Sequence, residues 1–164
     1  YKRQIISNKD ERSHLSNICS EISQLISSGK EIVIVTSGAI SQGMSILNIN
    51  DRPRDTKKLQ ALAAIGQQKL MLEYEKIFSQ NKNHIAQLLI THNDINDRVR
   101  YLNIKGTIEE LLSNKIIPII NENDSVAVDE INFGDNDQLA ARVAQITSSN
   151  LLIILSKFTK SLIK

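Results

Sequence analysis

Two hydrophobic rhythms alternate along this chain. Between residues 11 and 28, Leu15, Ile18, Ile22, Leu25 and Ile26 recur at three- and four-residue steps, the spacing of one helix face. Ser27-Ser28-Gly29 closes that stretch, with Gly29 suited to the left-handed position that follows a helix. Ile32 to Val35 is a short, uniformly apolar, β-branched run, which predicts a buried strand of a parallel sheet. The alternation then repeats. Residues 55 to 80 predict a helix, with Leu59, Leu62, Ala63, Ile65, Leu70, Leu72 and Ile77 available for burial and Gly66 placed to permit a close approach. "HIAQLLIT", 84 to 91, predicts a second strand, and 94 to 114 a helix with a weak point near Gly106. "KIIPII", 115 to 120, predicts a third strand, although Pro118 counts against a central place because proline cannot donate to a ladder. Residues 137 to 148 predict a helix with Leu139, Val143 and Ile146 on one face, and "LLIIL", 151 to 155, a fourth strand.

Helices alternating with strands over short connections predict an α/β layered domain around a mainly parallel sheet, with right-handed crossovers. The 164 residues suit one domain, and 41% hydrophobic content marks it as globular. Aromatics are only 4% and Trp is absent, so the core is expected to be aliphatic. Net charge is +2 with Lys and Arg scattered, which argues against a nucleic-acid partner. No apolar run reaches the roughly 18 to 20 residues of a membrane span. Tyr1-Lys2-Arg3-Gln4 lacks the apolar core of a signal peptide. The single cysteine, Cys19, sits among Ile18, Ile22 and Leu25 and is expected to be buried. A soluble cytoplasmic protein is the expectation.

Ligands of open α/β sheets bind beyond the carboxyl ends of the strands, so chemistry is sought there. After the first strand comes Thr36-Ser37-Gly38-Ala39-Ile40: a hydroxyl, a glycine that lets backbone N–H groups approach a ligand, and the start of a helix. A helix cap without a ligand explains the same residues. After the second strand, Thr91-His92-Asn93-Asp94 reads as a helix cap, with Asp94 the capping residue, and a lone His92 is weak support for a ligand. After the third strand comes Asn121-Glu122-Asn123-Asp124, and Gly134-Asp135-Asn136-Asp137 precedes the next helix. From 121 to 137 there are six acidic side chains and no Lys or Arg. Turns and caps use such residues, but these clusters exceed what one turn and one cap need. Carboxylate and amide oxygens together would serve a ligand amine. The spacing is not that of an EF-hand, although Mg²⁺ held mainly by a nucleotide's phosphates fits. No Walker sequence, no Gly-x-Gly-x-x-Gly and no Gly-x-Ser-x-Gly elbow occurs.

"IVIVTSGAISQG", "KLQALAAIGQQKL", "QLLITHNDINDRVRYLN", "IIPIINENDSVAVDEINFGDNDQLAARVA" and "NLLIIL", in that order, resemble the amino acid kinase family over roughly residues 12 to 155. Within that family the motifs look like those of its glutamate-phosphorylating branch. This resemblance implies an α/β/α sandwich, often in homo-oligomers, that transfers the γ-phosphoryl group of ATP to the γ-carboxylate of L-glutamate with Mg²⁺, the first step of proline synthesis. The resemblance also leaves room for proline feedback. Motif by motif, Ser37 resembles the substrate-contacting serine, with the Gly38 and Ala39 backbone beside it. Asp124 resembles the carboxylate that holds the substrate's α-amino group, and Asn136 the substrate-binding amide. Asn121 and Asp135 belong to the same pocket, and Asp137 resembles the aspartate that orients catalytic lysines.

The sequence departs from the family at both ends. The family opens on a strand ending in Val-Lys-x-Gly-Ser, and nothing before residue 12 matches it. Ser156-Lys157 stands where the nucleotide side has Ser/Thr-Asp, so Ser156 fits and Lys157 does not; His92 stands where relatives commonly carry Arg. The expectation is a partial kinase domain over 1–164, with the glutamate-binding part present and the first strand and C-terminal nucleotide-binding part missing. The competing expectations are a non-catalytic remnant that at most binds glutamate, or a different amino acid kinase.

Overall fold

The computed structural model describes residues 8–126 and 135–155. In chain order its elements are α1 (Asn8–Ser27), β1 (Ile34–Val35), α2 (Ala39–Ile46), α3 (Thr56–Phe78), β2 (His84–Ile90), α4 (His92–Asn96), α5 (Arg98–Ser113), β3 (Ile116–Glu122) and α6 (Asp135–Ile146). The three strands form one sheet in the order β1-β3-β2, and both pairings are parallel. Such pairings need crossovers, and the helices supply them.

Side-chain alternation along the strands builds two separate cores, one on each face of the sheet. On one face Ile34, Ile85, Ile117 and Ile119 pack with Cys19, Leu70, Tyr74 and Phe78 from α1 and α3. On the other, Val33, Val35, Leu88, Ile90 and Ile120 pack with Ile108 of α5 and Leu139, Val143 and Ile146 of α6. The described residues are therefore an α/β/α sandwich around a parallel sheet, as expected. α1 ends as Ser27-Ser28-Gly29 predicted. Gly29 has φ 86°, its N–H donates to the Ile26 carbonyl at 2.9 Å, and Lys30 N–H reaches the Leu25 carbonyl at 3.1 Å. That pair of bonds is the Schellman closure.

Pro118 lies in the middle of the sheet, contrary to the sequence expectation, and the geometry shows why it is tolerated. The Ile120 carbonyl accepts from Thr36 N–H at 2.8 Å, on the β1 side, whereas Asn123 N–H donates to Ile90 at 3.0 Å, on the β2 side. Even-numbered residues of β3 thus direct their main-chain groups towards β1, and odd-numbered ones towards β2. Pro118 faces β1, whose pairing covers only Ile119 and Ile120. The long ladder to β2, from Ile116 to Glu122, uses no N–H at position 118.

Other expectations are corrected. The first strand pairs only at Ile34–Val35, and the third runs on to Glu122. The weak point in the helical stretch predicted over 94 to 114 is Asp97, not Gly106. Asp97 caps α5 by accepting from Arg100 N–H at 2.9 Å, while Gly106 lies within the continuous helix with open space around it. Asp94 is not the cap of α4: Thr91 is, and Asp94 sits three residues on, closing a capping box. Ile65 and Leu72 on α3 are exposed. The run Leu151–Leu155 forms no strand, and all five side chains are exposed, from 41% at Leu152 to 73% at Leu151. An apolar run becomes a strand only beside another strand that satisfies its backbone, and among the described residues none pairs with it.

Candidate functional site

The carboxyl ends of β1 and β3 lie side by side, and that end of the sheet gathers the predicted polar residues. β1 leads through Thr36 and Ser37 into α2. Gly38 stands at the N-cap with φ 103°, a left-handed conformation natural to glycine, and no side chain caps the helix. The first-turn N–H groups of α2 are thus left to a ligand or solvent, at the positive end of the helix dipole. Ser37 and Gly38 are exposed and Ala39 is buried.

Two glycines hold this helix end in place. A Cβ on Gly66 of α3 would collide with the Ala39 carbonyl and the Gly43 N–H. A Cβ on Gly43 would collide with the Leu62 carbonyl. α2 and α3 therefore meet backbone to backbone, with Ile40, Leu59, Leu62 and Ala63 packed around the contact. The close approach expected of Gly66 is present, and it sets where the Ser37–Ala39 turn sits.

From β3, Asn121 is 2% exposed and fully satisfied. Its Oδ1 accepts from Glu122 N–H at 2.9 Å and from Asn136 Nδ2 at 3.1 Å, and its Nδ2 donates to Gln67 Oε1 at 2.9 Å. Asn136, in the first turn of α6, also donates to the Thr36 carbonyl at 2.7 Å. Gln67 Nε2 donates in turn to Gln87 Oε1 of β2 at 2.9 Å. Thr36 is held from its other side, where its hydroxyl lies 2.9 Å from Tyr74 Oη. Burial raises the Tyr74 phenol above its ordinary value of 10.0, and the Thr36 contact opposes that shift.

Asn121 and Asn136 are thus in contact and touch the strand that leads into Ser37, Gly38 and Ala39. Asp124 lies half-buried in the turn after β3, whose Val126 N–H meets the Asn123 carbonyl at 3.1 Å. Asp137 is exposed on the first turn of α6, which begins at Asp135. Gly134, Ser156 and Lys157 lie outside the described residues. His92 Nδ1 lies 3.2 Å from Glu122 Oε1, so its near neighbour is the chain's own carboxylate.

Sequence reasoning missed Gln67, Gln87 and Tyr74, and named Thr36 only as the start of the turn. One signal was available for Gln67, which occupies an apolar-face position between Ala63 and Leu70 and is buried there. A buried amide on a core face needs partners, and that need points to a polar network. A groove of about 610 Å³ between α3 and β2 is lined by Gln67, Gln87, Met71, Leu72, Ile85 and Leu89, among others, and not by Ser37, Asn121 or Asn136. It is a different place from the polar cluster at the strand ends.

A parallel α/β sandwich with a cluster of polar side chains where its strands end is the architecture of domains that bind small polar ligands beyond the sheet. The sequence model of the amino acid kinase family matches residues 4–159. The chain belongs to the amino acid kinase family. It is similar to the glutamate 5-kinase of Nitrosospira multiformis, 48% identical over 146 residues, 89% of this chain and 39% of that protein. It is also similar to the glutamate 5-kinases of Thioalkalivibrio sulfidiphilus, 47% identical over 142 residues, and Caldanaerobacter subterraneus subsp. tengcongensis, 49% identical over 142 residues. In each of these two matches the alignment covers 87% of this chain and 38% of the relative. The chain thus spans about two fifths of the length of the relatives it matches.

Proposed function

We propose that this chain carries the glutamate-binding part of an enzyme that phosphorylates the γ-carboxylate of L-glutamate with ATP. The observation that carries the reading is the meeting of Asn121, Asn136 and the Thr36–Ala39 turn at one end of the sheet. It is supported by 46–49% identity to relatives named glutamate 5-kinase. In the reaction a γ-carboxylate oxygen attacks the γ-phosphorus of ATP, the bond to the bridging oxygen breaks, and ADP leaves, giving an acyl phosphate. Such a transfer asks the protein for positioning and charge stabilisation more than for covalent chemistry.

The roles follow from the chemistry of each group. The Ser37 hydroxyl and the uncapped amides at Gly38 and Ala39 would receive the acidic reacting end of the substrate. Asp124 would pair with the α-ammonium group, with Asn121, Asp135 and Asn136 in the same pocket. Asp137, exposed beside them, would orient a lysine, and Ser156 with Lys157 would belong to the nucleotide side. Among the described residues no group of three or more His, Cys, Asp or Glu is arranged to hold a metal ion. Mg²⁺ would arrive with the nucleotide's phosphates, as is usual for this ion. Proline feedback, assembly into a homo-oligomer and a cytoplasmic location belong to the same proposal. Among the described residues no helix is long and apolar enough to cross a membrane.

Two measurements test it. Calorimetric titration of the 164-residue chain with L-glutamate is expected to show saturable binding that Asp124→Ala abolishes. Absence of heat at millimolar glutamate would sink the reading. Incubation with ATP, Mg²⁺ and glutamate, with hydroxylamine to trap acyl phosphate, then separates catalysis from binding alone.

A further inference from the structure

The hydrogen bonds between the candidate site and the outer edge of the sheet have a direction. Asn136 donates to Asn121, Asn121 to Gln67, and Gln67 to Gln87. The two ends of an amide are easily interchanged, so such a direction ordinarily has to be assigned from its neighbours. Here two backbone groups decide it. Glu122 N–H can only donate, so Asn121 must turn its oxygen to it, at 2.9 Å. The Thr36 carbonyl can only accept, so Asn136 must turn its nitrogen to it, at 2.7 Å. With Asn121 so fixed, its nitrogen needs an acceptor, and Gln67 Oε1 supplies one at 2.9 Å. Gln67 then turns its nitrogen to Gln87 Oε1, also at 2.9 Å.

The consequence reaches the candidate site. Both hydrogens of Asn136 Nδ2 are used, one on Thr36 and one on Asn121. That amide can therefore offer a ligand only its oxygen, which suits an ammonium or another donor and not a carboxylate.

We infer that Gln67, with Gln87 behind it, is a positioning residue. By accepting from the Asn121 nitrogen, it holds that amide in the orientation that Glu122 N–H sets, from which Asn136 presents an acceptor to the substrate. Gln67 touches no substrate in this scheme and acts through Asn121. The functional half of this inference rests on the glutamate reading above; the orientational half does not.

The test uses the 164-residue chain labelled with ¹⁵N and follows the side-chain amide signals of Asn121 and Asn136, with L-glutamate as the probe ligand. Gln67→Met fills the space without an acceptor. It is expected to displace both pairs of signals, to speed their exchange with water, and to weaken glutamate binding about tenfold, the factor that one net hydrogen bond carries. Gln67→Glu keeps the acceptor for Asn121 and is expected to hold the Asn136 signals at their wild-type positions. In a double-mutant cycle, Gln67→Met added to Asn121→Ala should weaken binding no further. A residue that only fills the core would lower the melting temperature and leave the Asn136 signals in place, and that result overturns the inference. If Gln67→Met does not fold, Gln87→Leu, at an exposed position, takes its place. It should shift the Asn121 signals by a smaller amount, and unmoved signals overturn the inference equally. A wild-type chain that binds no glutamate refutes the functional reading, while the amide signals still decide the orientation.

Discussion

Asn136 and Thr36, one hundred positions apart in sequence, are joined by a 2.7 Å hydrogen bond from side-chain nitrogen to backbone carbonyl. This contact ties the start of α6 to the end of β1 and brings the second acid/amide cluster against the Ser37–Ala39 turn. Removing it with Asn136→Ala leaves the Thr36 carbonyl and Asn121 Oδ1 each short of a donor. A loss of about 1–3 kcal/mol of stability is expected. Asn136→Asp should be worse at neutral pH, because a carboxylate would then face a carbonyl. Urea denaturation of the two variants side by side checks the order, and glutamate affinity should fall in both.

The sequence made much of this legible. The two clusters, the Ser37-Gly38 turn and the α/β alternation are local features, and each was readable from residue type and spacing. What joins them was not. The partnership of Asn121 with Gln67 spans 54 positions and that of Thr36 with Tyr74 spans 38, and no local period reports such contacts. Pro118 misled for a related reason: its cost depends on which neighbour its missing N–H would have faced. Leu151–Leu155 misled because strand propensity alone does not supply a partner.

Gly66→Ala is expected to destabilise the chain by more than the usual 1–3 kcal/mol of overpacking, since the added methyl would meet backbone that cannot rotate aside. The damage should reach the site, because the atoms in its way include the Ala39 carbonyl. Thermal melts and glutamate titration should therefore fail together. Gly106→Ala, with open space around the position, should instead be neutral or slightly stabilising.

Alkaline pH should weaken the fold through two buried groups. Burial pushes the Cys19 thiol from 9.0 up to about 11 and moves the Tyr74 phenol in the same direction. Both protonated forms are favoured in the folded chain, so their contribution is complete below the unfolded values. It is lost as pH rises through the folded ones. Stability should decline from about pH 9 towards pH 11 for the thiol. Cys19→Ala should flatten that part of the profile in a pH series of denaturant midpoints. At pH 8 the native thiol should resist a disulfide reagent and react once urea unfolds the chain.

At the acid end the sign reverses. Asp94 accepts from the Thr91 hydroxyl at 2.7 Å and from Thr91 N–H at 2.8 Å, and the hydroxyl bond, foremost, holds its carboxyl below the ordinary 3.8. The resulting stability is present above the unfolded value and disappears as pH falls through the folded one. Asp94→Ala should cost about 1 kcal/mol at neutral pH, because it removes the N3 half of the capping box. The variant and the wild type should converge as pH drops below 3.8. Divergence at low pH would show that Asp94 stabilises the chain by some means other than its charge.

The backbone contact at Gly43 and Gly66 has one more consequence. α2 has only eight residues, too few to persist as a helix by its own bonds in water. Its lifetime is borrowed from the 23-residue α3 beneath it. Hydrogen exchange in α2 should accordingly follow that of the middle of α3, as one cooperative unit, although α2 is much the shorter piece. The Ser37–Ala39 turn would then move only when the long helix lets go.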